Sequence, residues 1–431
     1  MLYKPLAKND ITTVSKIFVS SERFFKKIAY ILLGYVVILM IVYPFITIDH
    51  FDYKFTLFLI LIISLSIFAQ YYIGMTYKLL LNADQMGFVQ YTVHTIALVL
   101  NTIFCIYLMG HGAPVHSVKL TTSLIYILQP ILLMIFVRKK YKINYQIRFS
   151  NEPIKQKWNG LAQHIATVIL NNTDTVILTL FSTLENVSIY AVYHLVVNGI
   201  KQVVVSMTNG MQAMLGNMLA RNEIEGLERA FSYYEWLLHV TVTFAFSITA
   251  VLIIPFVEVY TADIMDANYI VPIFAYLITL AQAAYCYRLP YNILILAAGH
   301  YKQTQWSAII EAIINVLLSV FLVFHYGLIG VAIGTFVAMA YRTGYFVNYL
   351  KNNILKRKVQ YFIKHLISDG CCVLLLFFIV NSFSDFYIMQ QLNYLSWLIL
   401  AIKVALTEIV VLITINSMFY RDEIKRLIFK Y

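Results

Sequence analysis

Apolar segments of about twenty residues follow one another along nearly the whole of this chain. An α-helix of that length crosses the hydrocarbon core of a bilayer and satisfies its own backbone hydrogen bonds there. The sequence therefore predicts an all-α, polytopic membrane protein with about twelve transmembrane helices. The predicted spans lie near residues 28–47, 55–76, 86–109, 118–137, 161–181, 186–208, 236–259, 269–297, 303–324, 328–349, 367–388 and 394–418.

The composition agrees with this class. The chain is 61% hydrophobic and 12% charged, whereas a soluble domain is about 25% charged. All four cysteines lie in apolar spans, and their spacing matches neither a disulfide framework nor a metal site. We therefore predict no metal ligands, no resident cofactor and no large soluble domain.

Basic residues predict the orientation in the membrane. When the loops are numbered alternately, one side collects nearly all the lysines and arginines, including the runs within 138–157 and 351–364, and the other side has little beyond Lys54. Short loops rich in lysine and arginine stay in the cytoplasm. We predict a multi-pass protein of the cell membrane with both termini cytoplasmic. This distribution also accounts for the net charge of +11 without a nucleic-acid partner.

The sequence contains an internal repeat. Residues 6–18 read LAKNDITTVSKIF and residues 219–231 read LARNEIEGLERAF, and each segment precedes a span that ends in proline. Residues 90–112 align with 305–327 at nearly the same offset. Ordered matches at a constant offset are typical of transporters built from two related halves. We expect two pseudo-symmetric lobes.

The repeat also predicts the domain boundaries. The two-helix segment 161–210 precedes the second copy, and no equivalent precedes the first, so we expect the first lobe to lack its first two helices. The predicted organisation is an incomplete four-helix lobe over 1–140, a basic cytoplasmic linker over 141–160, a six-helix lobe over 161–350, and two additional helices with a basic tail over 351–431.

Polar residues lie well inside the two spans between Leu161 and Gly210. They recur at helical spacing, so those of each span share one face. Such side chains are costly against lipid and are expected to face a bundle interior or a water-filled cavity. We interpret the two helices as half of a polar cavity in a membrane transporter. The polar positions are His164, Thr167, Asn171 and Asp174 in the first span, and Tyr190, His194, Asn198 and Lys201 in the second.

Several motifs resemble those of a known family. They are Leu2-Tyr3-Lys4-Pro5-Leu6-Ala7 followed by Asp10, Asn171-x-x-Asp174, and the segment LENVSIYAVY over 184–193. Together they resemble the polysaccharide-export flippases of the multidrug/oligosaccharidyl-lipid/polysaccharide exporter superfamily. The resemblance implies two helical lobes around a central cavity. It also implies that the protein moves an undecaprenyl-diphosphate-linked oligosaccharide from one leaflet to the other. Its implied partners are membrane lipids and other polysaccharide-assembly proteins.

Arg288 is the leading candidate for contact with such a substrate. It lies inside a predicted span with Tyr285 and Asn292 on the same face, and Pro290 is expected to kink the helix beside it. A guanidinium stays charged and can bind phosphate through two hydrogen bonds. The other interpretations are that Arg288 pairs with a carboxylate or reaches the membrane surface. The substrate-binding candidates are Arg288, Asn171, Asp174, Asn198, Lys201, Tyr285 and Asn292.

Glu311 and Asp174 are the candidate carboxylates for coupling. Each could bind a coupling cation, H⁺ or Na⁺, or could neutralise a buried cation such as Arg288. Lys201, Arg342 and Lys403 lie close enough to predicted helix ends for their side chains to reach the membrane surface. These alternatives depend on which helices are neighbours.

Other functions remain open from the sequence alone. A cation-coupled multidrug antiporter of the same superfamily would need carboxylates in the first lobe, whose spans have almost none. A membrane-embedded polysaccharide polymerase or glycosyltransferase would carry a large outer loop or an acidic catalytic motif, so we predict no catalytic residues and no enzyme. A peptidoglycan-precursor flippase would use the same physical chemistry.

Overall fold

The structure is a computed structural model that describes residues 2–46, 52–154, 157–208, 210–264, 266–355, 357–387, 389 and 391–421. These residues form helices joined by short loops, and none of those described lies in a β-strand. The all-α prediction is confirmed. The predicted basic tail beyond Arg421 lies outside the described residues. The chain divides into two compact units.

Unit 1 contains the residues up to Lys157, together with 216–222. A π-helical turn over 70–74 joins the third and fourth helices into one continuous span. The second, third and sixth helices pack together, and the fifth packs on the sixth. The helices are α1 (Tyr3–Ala7), α2 (Ile11–Ile46), α3 (Tyr53–Ala69), α4 (Met75–Ala83), α5 (Gly87–Gly110) and α6 (Val115–Lys140).

Polar contacts hold the start of α2 and the segment that follows α6. The Asp10 carboxylate accepts hydrogen bonds from the backbone N–H of Thr13 (3.0 Å) and from its hydroxyl (2.6 Å), which caps the start of α2. These bonds hold the pKa of Asp10 below its ordinary value. After α6 the chain returns to α2, where the Asn144 N–H donates to Ser15 Oγ at 3.1 Å and the Ser20 hydroxyl donates to Glu152.

Unit 2 contains residues 158–215 and those from Glu223 onward. Its eleventh helix packs against the eighth, tenth and thirteenth, and its tenth packs against the fourteenth and sixteenth. The helices are α7 (Lys157–Phe181), α8 (Leu184–Met207), α9 (Met211–Ala220), α10 (Ile224–Tyr260), α11 (Pro272–Tyr287), α12 (Leu289–Ala297), α13 (Tyr301–Asn353), α14 (Gln360–Ser382), α15 (Ser384–Tyr387) and α16 (Tyr394–Phe419).

The described residues contain twelve helical segments long enough to cross a bilayer. Nine helices meet the length and apolarity expected of a membrane span. One of them is the 53-residue α13, which non-helical backbone at Gly327 divides into two segments. The remaining two segments are the more polar α7 and the pair α11–α12. The predicted number of spans is confirmed.

Unusual backbone conformations recur with the period of the sequence repeat. Positive φ angles occur in three pairs whose separation matches the offset between the repeated segments. Helical breaks also correspond, because the π-helical turn between α3 and α4 matches the break at Arg288 between α11 and α12. The repeat is therefore present in the backbone as well as in the sequence. The pairs are Asn9 with Asn222 (53° and 57°), Gln85 with Gly299 (60° and 77°), and Gly112 with Gly327 (71° and 52°).

Candidate functional site

A buried charge triad lies at the break between α11 and α12. Pro290 lies in the first turn of α12. Proline lacks a backbone N–H, and the first turn of a helix has no intrahelical acceptor for that donor. Proline therefore favours a new helix start at this point, and the helical break falls at Arg288. Arg288 Nη1 donates to Glu311 Oε1, and Arg342 Nη1 donates to Glu311 Oε2 at 2.7 Å. The three residues are 3%, 1% and 4% exposed. One carboxylate thus lies between two guanidinium groups, and the triad carries a net positive charge.

Lys201 of α8 lies close to this triad. The ring of Tyr285 has Arg288 Cζ 4.4 Å from its centroid and Lys201 Nζ 5.0 Å from it. Lys201 Nζ also approaches Asn171 Oδ1 of α7 at 3.5 Å. Within the described part of the chain, no carboxylate oxygen lies within 4.0 Å of this ammonium group. The amide and the aromatic face satisfy it only in part, because neither supplies a negative charge.

Asp174 of α7 lies in a separate polar cluster in the same unit. Its carboxylate accepts a hydrogen bond from Tyr190 at 3.2 Å and one from the Asn315 amide at 3.3 Å. Thr335 Oγ1 lies 2.9 and 2.8 Å from the two carboxylate oxygens and 3.1 Å from the Val331 carbonyl oxygen. Asp174 is buried, and within the described part of the chain the buried Asn315 Oδ1 has no hydrogen-bond partner.

The structure brings most of the predicted site residues together. Tyr285 contacts both Arg288 and Lys201, Asn171 contacts Lys201, and Glu311 is the ion-pair partner of Arg288. Among the described residues, no hydrogen bond joins the half-buried Asn198 or Asn292 to either group. The predicted site therefore consists of a cationic cluster and the Asp174 cluster.

The prediction that Lys201 and Arg342 reach the membrane surface is wrong. Each is 4% exposed. Arg342 is retained in the interior because it pairs with Glu311, whereas a helix-end lysine or arginine usually extends to water. Lys403, the third residue of that prediction, is half-buried and donates to the carbonyl of Phe386 at 2.8 Å.

Sequence reasoning missed Thr335 as a member of the Asp174 cluster. Its only local signal is a hydroxyl residue within the apolar segment VAIGTFV of α13. Threonine in such a helix often bonds only to its own backbone, and the Thr335 hydroxyl does approach the Val331 carbonyl. Its second role, beside Asp174, depends on the packing of a helix far away in sequence.

No protein-family model matches the sequence, and no match to a curated protein is significant. The fold is nevertheless shared with solved membrane transporters. One of them is lipid II flippase MurJ in an inward closed conformation. The superposition covers 98% of this chain and 90% of the MurJ chain, with a TM-score of 0.61 and 16% sequence identity.

Two further structures extend this comparison. The Vibrio cholerae MATE transporter VcmN, in its bent form, covers 86% of this chain and 87% of its own, with a TM-score of 0.57 and 13% identity. A MOP superfamily transporter from Pyrococcus furiosus covers 83% and 85%, with a TM-score of 0.56 and 14% identity. At these identities the similarity shows the fold.

Proposed function

We propose that this chain is a flippase that translocates a lipid-linked oligosaccharide, of the undecaprenyl-diphosphate type, across the cytoplasmic membrane for polysaccharide assembly. Alternating access through a polar central cavity is the proposed mechanism. The shared fold with a lipid II flippase supports a lipid-linked cargo. The sequence motifs that resemble polysaccharide-export flippases support an oligosaccharide head group.

The observation that carries this proposal is the excess of positive charge around Lys201. Among the described residues of this cluster, Glu311 pairs with Arg288 and Arg342, and Lys201 has no carboxylate within 4.0 Å. A buried cation without a counter-charge is costly, and an anionic ligand would remove that cost. A diphosphate supplies both the charge and the hydrogen-bond acceptors.

Lys201 is the proposed contact with the diphosphate, in place of Arg288. The Arg288 guanidinium already donates to Glu311, whereas the hydrogen-bond and ring contacts of the Lys201 ammonium with the described residues are one amide oxygen and one aromatic ring. An ammonium group binds phosphate as a compact point charge with three donors. Asn171 is exposed, so the ligand can reach the ammonium from its side.

Binding of undecaprenyl diphosphate to the purified chain tests the proposal. Loss of one charge-assisted hydrogen bond costs about 1.5–3 kcal/mol, so Lys201→Gln is expected to weaken binding about tenfold or more. Lys201→Arg keeps the charge and is expected to retain most of the affinity. Lys403→Gln removes a lysine from α16 and should leave binding unchanged. Wild-type affinity in a folded Lys201→Gln protein would refute the assignment.

A cation-coupled multidrug antiporter is the alternative, and the fold similarity to VcmN favours it. Such a protein needs a carboxylate that faces a cationic drug. The described spans of unit 1 offer only two carboxylates, Glu22 of α2, which is paired with Lys26, and Asp84 at the end of α4. Tight binding of the cationic dye ethidium, unaffected by Lys201→Gln and abolished by Asp174→Asn, would support the antiporter in place of the flippase.

We also propose that Asp174 holds the coupling cation, H⁺ or Na⁺. The Thr335 hydroxyl has one hydrogen but lies within 3.1 Å of three acceptor oxygens. The Asn315 amide oxygen is buried and accepts no hydrogen bond from any residue that the structure describes. This surplus of oxygen atoms suits a hard cation. One carboxylate among neutral oxygens favours a single positive charge.

A further inference from the structure

A second group of buried titratable residues lies where α10 packs against α14 and α16. It consists of Glu235 and His239 on α10, His365 and Asp369 on α14, and Tyr420 after α16. These residues are 0%, 1%, 4%, 8% and 4% exposed. We call them the α10–α14–α16 cluster. No residue of this cluster belongs to the Asp174 or Lys201 groups, and the proposed function does not use it.

His365 is satisfied in this cluster as a neutral imidazole. The Tyr420 hydroxyl lies 2.5 Å from its Nδ1, and its Nε2 faces Glu235 Oε2 at 3.5 Å. The tautomer with its hydrogen on Nε2 therefore accepts from Tyr420 and donates to Glu235. Glu235 is in turn neutralised by Arg357 and accepts a hydrogen bond from Tyr291. His365 needs no added proton.

His239 differs from His365 in the hydrogen-bond partners of both ring nitrogens. Its Nδ1 lies 2.6 Å from Asp369 Oδ2, and its buried Nε2 has no hydrogen-bond partner among the described residues. Asp369 has no other hydrogen-bond or ion-pair partner among the described residues. A buried carboxylate of this kind requires a positive charge beside it. The free lone pair of Nε2 can accept the proton that supplies that charge.

Two aromatic rings are stacked on His239, and one of them favours the charged form. The ring of His365 is stacked on it at a centroid distance of 4.6 Å, and the ring of Tyr287 at 4.8 Å. The ring of Phe362 makes a T-shaped contact with the ring of His239, at a centroid distance of 5.8 Å. The electron-rich face of Tyr287 attracts a cation.

We propose that His239 is a buried proton-binding site, in which the protonated imidazole pairs with Asp369 and joins α10 to α14. This inference goes beyond the proposed function and holds whatever the cargo is. Arg357 precedes α14 and Tyr420 follows α16, so the cluster lies near helix ends that the predicted topology assigns to the cytoplasm. The proton would therefore exchange with that side.

The remaining charges around His239 are compatible with one added proton. Glu235 and Arg357 neutralise each other, and Lys364 lies over the ring of Tyr420, 4.3 Å from its centroid. Glu408 accepts a hydrogen bond from Ser247 at 2.8 Å and adds either a negative charge or none. The titratable and charged groups in and next to this cluster include Glu235, Tyr287, Tyr291, Arg357, Lys364, His365, Asp369, Cys372, Glu408 and Tyr420.

Nitrogen-15 NMR of histidine-labelled protein in lipid bilayers, recorded from pH 5 to pH 9, tests the proposal. His239→Gln identifies the His239 signals by their loss. We expect His239 to be an imidazolium at the acidic end and to lose its proton as the pH rises, while His365 stays neutral. Asp369→Asn removes the counter-charge and should lower the proton affinity of His239 by about tenfold or more. Asp385→Asn, an exposed residue of α15, is the matched control and should change nothing.

Three results would overturn the proposal. They are a neutral His239 at pH 5 in folded protein, a charged His365 beside a neutral His239, and an unchanged titration midpoint in Asp369→Asn. If the variants do not fold, the wild-type chain still decides the question, because the ring contact with Tyr287 identifies the His239 signal without any substitution. Neither the Lys201 nor the Asp174 experiment depends on this outcome.

Discussion

At the scale of single residues, the oxygen atoms around Asp174 outnumber the hydrogens available to them, and a bound cation would correct this. If the cation is Na⁺, unfolding of the purified protein should occur at a higher temperature in sodium chloride than in choline chloride at equal ionic strength. A ligand present at a hundred times its Kd stabilises by about 2.7 kcal/mol. Thr335→Val and Asp174→Asn should remove this effect.

A second threonine of α13 provides the matched control. Among the described residues, the Thr343 hydroxyl bonds only to backbone carbonyls, those of Ala284 at 2.9 Å and Met339 at 2.8 Å, so Thr343→Val should keep the full response to sodium. If sodium and choline give the same midpoint in the wild-type protein, the coupling ion is not Na⁺. An unchanged sodium response in Asp174→Asn would remove this carboxylate from the ion site.

The chemistry of individual residues was more predictable from sequence than their partners were. Helical spacing puts Asn171 and Asp174 on one face of α7, but Asn171 lies beside Lys201 whereas Asp174 lies in a separate cluster. The pairing of Arg288 with Glu311 is one of the interpretations that the sequence leaves open. The contribution of Arg342 was not foreseen, because it depends on a helix contact that local spacing does not encode. The α10–α14–α16 cluster did leave a local signal, since Glu235 and His239, like His365 and Asp369, are four residues apart and share a helix face.

At the scale of helices, Gly327 turns the chain inside α13. Its φ of 52° and ψ of −126° lie in a region essentially restricted to glycine. A Cβ atom would meet only the Asn186 amide at 3.7 Å, so any cost arises from the backbone. Gly327→Ala is expected to lower the free energy of unfolding by about 1–3 kcal/mol, measured by thermal or denaturant unfolding of the purified protein.

Gly344 in the same helix is the control for this substitution. It has helical backbone, and a Cβ atom there would have no neighbour within 4 Å. Gly344→Ala should be neutral or stabilise by up to about 1 kcal/mol. Equal effects of the two substitutions would show that the conformation at Gly327 does not determine the cost.

Helix boundaries followed from the sequence where lipid thickness determines them. The span predicted over 161–181 corresponds to α7, which begins at Lys157 and ends at Phe181. The span predicted over 269–297 is instead two helices that meet at Arg288. Pro290 indicated a kink there, but a proline alone does not say whether a helix bends or separates. The π-helical turn over 70–74 has no proline and left no comparable signal.

At the scale of the whole chain, the repeat was visible because polar segments of the same type recur before corresponding spans. The structure adds that Asn9 and Asn222, one in each copy of the repeat, both adopt positive φ. A short polar side chain tolerates this left-handed conformation better than most. The identical residue at both positions thus has a backbone reason that could be recognised only once the turns were seen.

The orientation of the chain in the membrane is the prediction that belongs to this scale. Lysine and arginine concentrate in alternate loops, and the cost of translocating them retains those loops in the cytoplasm. Reporter fusions after Lys140 and after Arg357 should be fluorescent as green fluorescent protein and inactive as alkaline phosphatase. Fusions after Asp52 and after Asp263 should give the reverse. Each span inverts the side of all later loops, and the prediction assigns three spans, α7, α8 and α10, between Lys140 and Asp263. Cytoplasmic signals at both positions would mean that an even number of these helices crosses the membrane. One or all three of the assigned spans would then be wrong.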